Sequence, residues 1–282
     1  MRPMEVEVDL GADNEGGTNV VEETLRLKDR VVIITGGAQG IGRVYSLGMA
    51  DEGAQLVVAD VNVEAAEATV RDIRAKGRKA LALKTDVSNP ESTQEMAGRT
   101  VENFGRIDVL VNNAAIFGKI KISRVPFYEI DLDEWDRVFA VNLKGTLLCC
   151  RAVFPQMKTQ DGGKIVNIAS AGFFSGNPNY VHYVASKAGI IGLTQAMARE
   201  VGDYNINVNC IAPGATLAED PSDRDAWEAR VKRFNEILLP KRCLKRIQYP
   251  EDLVGTVIFL ASSDSNLITG QTIVVDGGNV MR

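Results

Sequence analysis

Seven short runs rich in Val, Ile, Leu and Ala recur along the chain, at residues 31–35, 55–59, 80–85, 107–112, 164–168, 207–211 and 272–275. Several are apolar nearly throughout, where a half-exposed strand would be apolar at every second position. Such runs predict strands buried on both faces. Amphipathic stretches of helical period lie between the earlier ones, at 41–52, 63–75 and 90–104. A sheet buried on both sides needs helices above and below it. The pattern therefore selects an α/β fold with a doubly wound parallel sheet. No linker-like break and no internal repeat interrupts residues 29–282, so one domain is expected there.

The formal net charge of −5 sits at one end of the 282 residues. Residues 1–26 hold Glu5, Glu7, Asp9, Asp13, Glu15, Glu22 and Glu23 against Arg2 and Arg26, which accounts for all of it. With the glycine-rich stretch 11–17, this reads as an acidic extension, residues 1–28, loosely ordered outside the fold. The alternation of Met4, Val6, Val8 and Leu10 with acids offers a short edge strand instead. The remaining body is neutral on balance, which argues against a nucleic-acid surface. No basic amphipathic helix, no run of about 18 or more apolar residues and no secretory signal is seen, so no membrane partner and a cytoplasmic location are expected. Cys149, Cys150, Cys210 and Cys243 lack ligand spacing, and the chain has one histidine. They are expected to be reduced, buried thiols, with no metal site.

The first predicted strand opens into Gly36-Gly37-Ala38-Gln39-Gly40-Ile41-Gly42, and a helix follows. Glycines there allow a tight turn and let a pyrophosphate reach the backbone at the positive end of a helix. The spacing is G-x-x-x-G-x-G. The second strand leads to Asp60, twenty residues after Gly40. An acid there can accept hydrogen bonds from an adenosine ribose, and its charge repels a 2′-phosphate. With no arginine inside the loop, the pattern favours NAD over NADP.

Beyond the strand at 164–168 stands Ser170. Tyr183 comes thirteen residues later and Lys187 four residues after that. An i,i+4 pair shares one helix face, so the phenol and the ammonium can converge. A free tyrosine titrates near about 10, and an adjacent ammonium would lower that value. Such a tyrosine can exchange a proton with an alcohol oxygen near neutral pH.

These elements stand in the order and spacing of the short-chain dehydrogenases/reductases: 35–42, Asn112-Asn113-Ala114-Ala115, Asn142, Ser170, Tyr183, Lys187, Pro213-Gly214 and the ending 268–278. The chain resembles that family over residues 27–282. The resemblance implies a Rossmann-type sheet of seven parallel strands in the order 3-2-1-4-5-6-7, and a homotetramer. It also implies roles. Tyr183 would be the general acid/base, Lys187 the residue tuning it and holding the nicotinamide ribose, Ser170 the hydroxyl orienting the substrate oxygen, and Asn142 the residue positioning a water. Asp86, Val87 and Asn113 would contact the cofactor after the third and fourth strands, and Pro213, Gly214 and Thr216 beside the nicotinamide. Ala115 and Ala218 depart from the usual Gly and Thr.

The implied activity is NAD-dependent interconversion of a secondary alcohol and a ketone. An NADPH-linked reductase of the 3-oxoacyl-carrier-protein type is the alternative, and a non-catalytic NAD-binding protein a more distant one. Substrate choice in such a fold falls to loops at the carboxyl ends of the strands, here 116–131, 171–182 and 215–249. Phe117, Phe173 and Phe174 in two of these predict a pocket for a small hydrophobic or aromatic alcohol. The alternative places those rings in the core or at a subunit contact. His182, beside Tyr183, could touch substrate or tune the site, but reads first as a structural or solvated ring, since a neighbour at i−1 faces elsewhere on a helix.

Overall fold

The computed structural model describes residues 25–117, 122–218 and 224–281. Seven strands form one parallel sheet in the order β3-β2-β1-β4-β5-β6-β7. They are β1 (Val31–Thr35), β2 (Gln55–Asp60), β3 (Ala80–Lys84), β4 (Val109–Asn112), β5 (Gly163–Ile168), β6 (Ile206–Pro213) and β7 (Thr272–Val275). The expected strand order is the observed one. Edges differ by a residue or two. β4 starts at Val109, because Asp108 spends its carboxylate on the Val31 N–H (2.9 Å) and on Arg106 (2.6 Å).

The helices are α1 (Gly40–Asp51), α2 (Val63–Ala75), α3 (Pro90–Phe104), α4 (Leu132–Phe139), α5 (Gly145–Thr159), the short α6 (Gly172–Ser175), α7 (Val181–Val201), α8 (Arg224–Arg233) and α9 (Glu251–Ala261). They form a layer on each face. One core layer packs Val32, Ile34, Leu56 and Val58 against Tyr45 and Met49 of α1 and Leu253 and Val257 of α9. The other packs Ile33, Val57 and Leu110 against Met96 of α3 and Cys149, Val153 and Met157 of α5. Alternate residues of β1 and β2 thus serve opposite layers, which is why those strands are apolar throughout.

The rod Leu132–Thr159 reaches a mean hydropathy of 1.3 in its most apolar window, and 44% of that window is buried. Its apolarity is that of a helix seated on a sheet. Local signals set several ends. Asn62 and Asn89 cap α2 and α3 by accepting from Ala65 and Ser92 N–H, and Gly105 ends α3 in the left-handed region.

Two expectations need correction. Residues 25–28 belong to the folded body, not to an extension: Leu27 is fully buried in the core, and its N–H donates to Glu52 O at 2.9 Å. Residues 1–24, with the rest of the acidic segment and the 4–10 alternation, lie outside the described residues. Cys243 is exposed, whereas Cys149, Cys150 and Cys210 are buried. Burial pushes the Cys150 thiol up to about 12 and the Cys210 thiol up to about 11.

Candidate active site

The loop after β1 is fixed from three sides. Gly36 N–H donates to Ala59 O of β2 at 2.8 Å. The Asn113 side chain, beyond β4, donates to Thr35 O (3.2 Å) and Gly36 O (3.0 Å). Thr69 of α2 donates to Ala38 O at 3.1 Å. The turn is so close that a Cβ on Gly42 would lie 2.0 Å from Gly36 O, so no other residue fits. Asp60 ends β2 with its carboxylate buried, one oxygen accepting from Ala38 N–H (3.2 Å) and the other from Asn62 N–H (3.0 Å). It therefore braces the loop as well as flanking it.

Two observations test the fit to a dinucleotide. Helix α1 starts from Gln39 with no side-chain cap, and a Cβ at Gly40 (φ +54°) would meet open space. Uncapped N–H groups facing open space suit a pyrophosphate, and the Asp60 carboxylate beside them suits ribose hydroxyls. The residues present fit the group.

The other cofactor candidates are more structural than their positions suggest. Asn113 uses its side-chain amide as the brace just described. Asp86 is exposed and accepts from Ser88 N–H (2.9 Å) and Oγ–H (2.7 Å). Val87 is buried against Gly145, where a Cβ would meet its side chain at 2.8 Å. Ile41 packs half-buried on the core. Pro213 closes β6, Gly214 N–H continues the ladder to Val275 O (2.8 Å), and Thr216 Oγ–H turns back onto Gly214 O (3.0 Å).

At the same sheet edge, Ser170 lies two residues past β5. Its Oγ accepts from Gly172 N–H at 3.1 Å and hydrogen-bonds the Tyr183 phenol. Tyr183 sits in the first turn of α7, with Lys187 one turn on, and both are buried. Lys187 Nζ stands 6.0 Å from the centre of the Tyr183 ring and donates to Ile168 O at 2.7 Å.

The triad is assembled as expected, but the expected electrostatics are reversed. Burial raises the Tyr183 phenol above its ordinary value, with the Ser170 hydrogen bond opposing it, and burial pushes Lys187 down to about 8. Desolvation disfavours phenolate and ammonium alike, and the ammonium is turned to a β5 carbonyl instead of the phenol oxygen.

Asn142 lies in a π-helical turn, Ala140–Lys144, joining α4 to α5. Such bulges free backbone groups and recur at functional sites. Both ends of its side chain are engaged: Oδ1 accepts from Ile116 N–H (2.7 Å), and Nδ2 donates to Ser186 Oγ (3.1 Å), which donates to Tyr183 O (2.8 Å). Asn142 thus ties the loop after β4 to α7.

The rings divide. Phe117 stacks on Tyr183, centroids 4.4 Å apart and planes 24° apart, with its outer face exposed. Phe173 is exposed and contacts Phe174 at 4.9 Å. Phe174 is corrected in part: it packs on an interior cluster of Ala169, Ile190, Cys210 and Ala212. His182 is fully buried with Nε2 3.0 Å from Glu134 Oε1, a structural position as its place on the helix implies. Glu134, Ser123, Tyr180 and Arg124 complete the surroundings. Tyr180 belongs to the aromatic loop 171–182, but sequence carried no sign of Glu134, Ser123 and Arg124, because the contacts that join them to α7 span 48 residues (Glu134 to His182) and more.

A family model described as enoyl-(acyl carrier protein) reductase matches residues 36–279. A (2S)-[(R)-hydroxy(phenyl)methyl]succinyl-CoA dehydrogenase subunit of Thauera aromatica is 37% identical, over 89% of this chain and 97% of its own length. A 3-oxoacyl-[acyl-carrier-protein] reductase of Thermotoga maritima is also 37% identical, over 91% of this chain and 100% of its own. The crystal structure of levodione reductase superimposes with a TM-score of 0.79 at 34% identity, covering 89% of this chain and 98% of that one.

Proposed function

The chain belongs to the short-chain dehydrogenase/reductase family, and from that premise we propose that it is an NAD-linked oxidoreductase interconverting a secondary alcohol and a ketone. The observation that carries the reading is the convergence of Ser170, Tyr183 and Lys187 at the sheet edge that also holds the glycine loop and Asp60. A nicotinamide dinucleotide, when bound, supplies the hydride acceptor or donor. Ser170 Oγ orients the substrate oxygen, and Tyr183 Oη takes or gives its proton. Lys187, anchored on Ile168 O, stands one turn beyond Tyr183, where its ammonium would hold the nicotinamide ribose. Asn142 keeps Ile116, and with it the start of the loop over the site, in register with α7. A homotetramer is part of the proposal: Gly189 of α7 packs against Leu143 within the subunit, whereas a Cβ at Gly192 would meet open space, where a second copy would fit.

Preference for NAD rests on Asp60, and on Arg43, the nearest arginine in sequence after the glycine loop, being paired with Asp72 at 2.6 Å. A small alcohol with an aromatic body suits the Phe117 ring beside the phenol. The Thauera aromatica relative's name supports that body, since it describes a phenyl-bearing carbinol. The second reading, an NADPH-linked 3-oxoacyl-carrier-protein-type reductase, draws on a different observation. A buried, neutral phenol is the form that protonates a carbonyl oxygen, and the Thermotoga maritima relative is named as such a reductase.

Initial rates with 1-phenylethanol, cyclohexanol, a sugar alcohol and a 3-hydroxyacyl thioester, each with NAD and with NADP, separate the two. The proposal expects the highest kcat/KM for 1-phenylethanol with NAD. A clear advantage for the thioester with NADP would replace it by the second reading.

A further inference from the structure

Glu134 projects from α4 into a nearly dry position between the loop after β4 and the start of α7. Its two oxygens accept from Ser123 N–H (2.7 Å) and Ser123 Oγ–H (2.6 Å), and Oε1 also faces His182 Nε2 at 3.0 Å. The Ser123 hydrogen bonds hold this carboxyl below its usual range, so it stays charged at neutral pH. A buried carboxylate is costly unless it is hydrogen-bonded, and here Ser123 and His182 satisfy it, which ties the loop segment at Ser123 to α7. The segment leads into Arg124.

The Arg124 guanidinium carbon lies 5.5 Å above the centre of the Tyr180 ring, and that ring is 5.8 Å from the ring of Tyr183. Those two spacings, end to end, bound its distance from the catalytic ring. Among the described residues Arg124 forms no ion pair, and the stretch from Phe117 to Arg124 holds bases and no acid. A guanidinium laid on an aromatic face keeps its edge N–H donors in one plane, free for a bidentate acceptor. One cation of fixed orientation matches a planar monoanion better than a dianion.

We propose that Arg124, held over Tyr180 by the Ser123–Glu134–His182 link, recognises a carboxylate on the substrate, on the far side of its apolar body from the carbinol or carbonyl carbon. This rests on the oxidoreductase reading above and makes the substrate class a hydroxy or oxo acid with an aromatic or apolar body. Arg124 is then a specificity residue, while Glu134 and His182 are positioning residues that act through it.

The test compares 4-acetylbenzoate with acetophenone by calorimetric binding to the protein saturated with dinucleotide, and 4-(1-hydroxyethyl)benzoate with 1-phenylethanol by kcat/KM. The wild type is expected to prefer each carboxylate by about tenfold or more, the worth of one charge-assisted bidentate contact. Arg124→Leu should bring both ratios close to one, and Arg124→Lys should restore only part. Ratios within one variant cancel any general loss of folded protein. Glu134→Gln should reduce the ratio mainly through KM. No preference in the wild type, or a preference that survives Arg124→Leu, would overturn the assignment. A carboxylate preference in binding that depends on Arg124, with no turnover of either alcohol, would sustain this site and count against the oxidoreductase reading instead.

Discussion

Asp60 braces the glycine loop and, in the proposed function, also selects the dinucleotide, and one substitution can separate the two. Asp60→Asn removes the charge and keeps the shape, but an amide offers one oxygen where the carboxylate offers two. One of the Ala38 and Asn62 N–H groups then loses its acceptor. A buried donor left unsatisfied costs about 1–3 kcal/mol, so the variant should melt a few degrees lower. Losing a charged acceptor for ribose hydroxyls should weaken NAD by about tenfold. Removing a unit charge about 4 Å from a 2′-phosphate relieves between about 1 and 4 kcal/mol, depending on local screening, which favours NADP by a similar or larger factor. The two effects multiply, and the ratio of kcat/KM for NAD over NADP should fall by about 100-fold. Steady-state kinetics with both dinucleotides, beside thermal melts, read the two terms independently. A lower melting temperature with an unchanged ratio would refute the reasoning. It would leave Asp60 as a brace for the glycine loop and nothing more. A wild type that already prefers NADP would do the same.

Other substitutions probe the catalytic edge. Tyr183→Phe deletes only the hydroxyl bonded to Ser170 and should lower turnover by about 100-fold or more with dinucleotide binding retained, as measured by fluorescence titration. Lys187→Met should abolish turnover yet make the fold no less stable at pH 7. Burial lowers this lysine from 10.5 to about 8, so between those values the unfolded chain binds a proton that the folded one does not. Wild-type stability contributed by this group is therefore fully present above pH 10.5 and is lost as pH falls through about 8. Melts of the pair from pH 7 to 10 should show the wild type gaining on the variant, and parallel curves would contradict the burial argument. Phe117→Ala uncovers the Tyr183 ring, so the kinetic pKa should move toward that of free tyrosine, and KM for aromatic alcohols should rise severalfold for loss of the ring face. An unmoved pH profile would detach Phe117 from the phenol.

The parts of this molecule that were legible in sequence share one property: their signal is local. A strand buried on both faces shows itself in a run such as Val31–Thr35, and a helix in the capped, periodic stretch Pro90–Phe104. The glycine loop was legible for the same reason, since Gly36 to Gly42 form one turn. Tyr183 and Lys187 were legible because one helical turn joins them, and Ser170 because the family spacing places it beyond β5. What sequence could not supply was the environment. The pair's spacing implies an ammonium near a phenol, but not that Lys187 would be drawn to Ile168 O, nor that both groups would be sealed from water. Desolvation is a property of everything packed around a group, so no motif reports it.

The same distinction explains the rings and the polar ties. Phe173 and Phe174 are adjacent and chemically identical, yet one faces outward and the other packs on Ala169, Ile190 and Ala212. Their helical turn directs one inward, and only the position of α6 against α7 decides which. Asn142 and Asn113 stand where the family pattern puts a water-positioning and a cofactor-contact residue, but Asn142 spends its side chain on Ile116 N–H and Ser186 Oγ, and Asn113 on Thr35 O and Gly36 O, all far away in sequence. A polar side chain that must bridge two elements can do so only after the sheet has ordered them. Its position can be conspicuous in sequence while its partner is not. Arg124 is the extreme case, lacking even a conspicuous position. Its placement over Tyr180 follows from a loop, a buried carboxylate on α4 and a histidine on α7, three segments brought together by the sheet order alone.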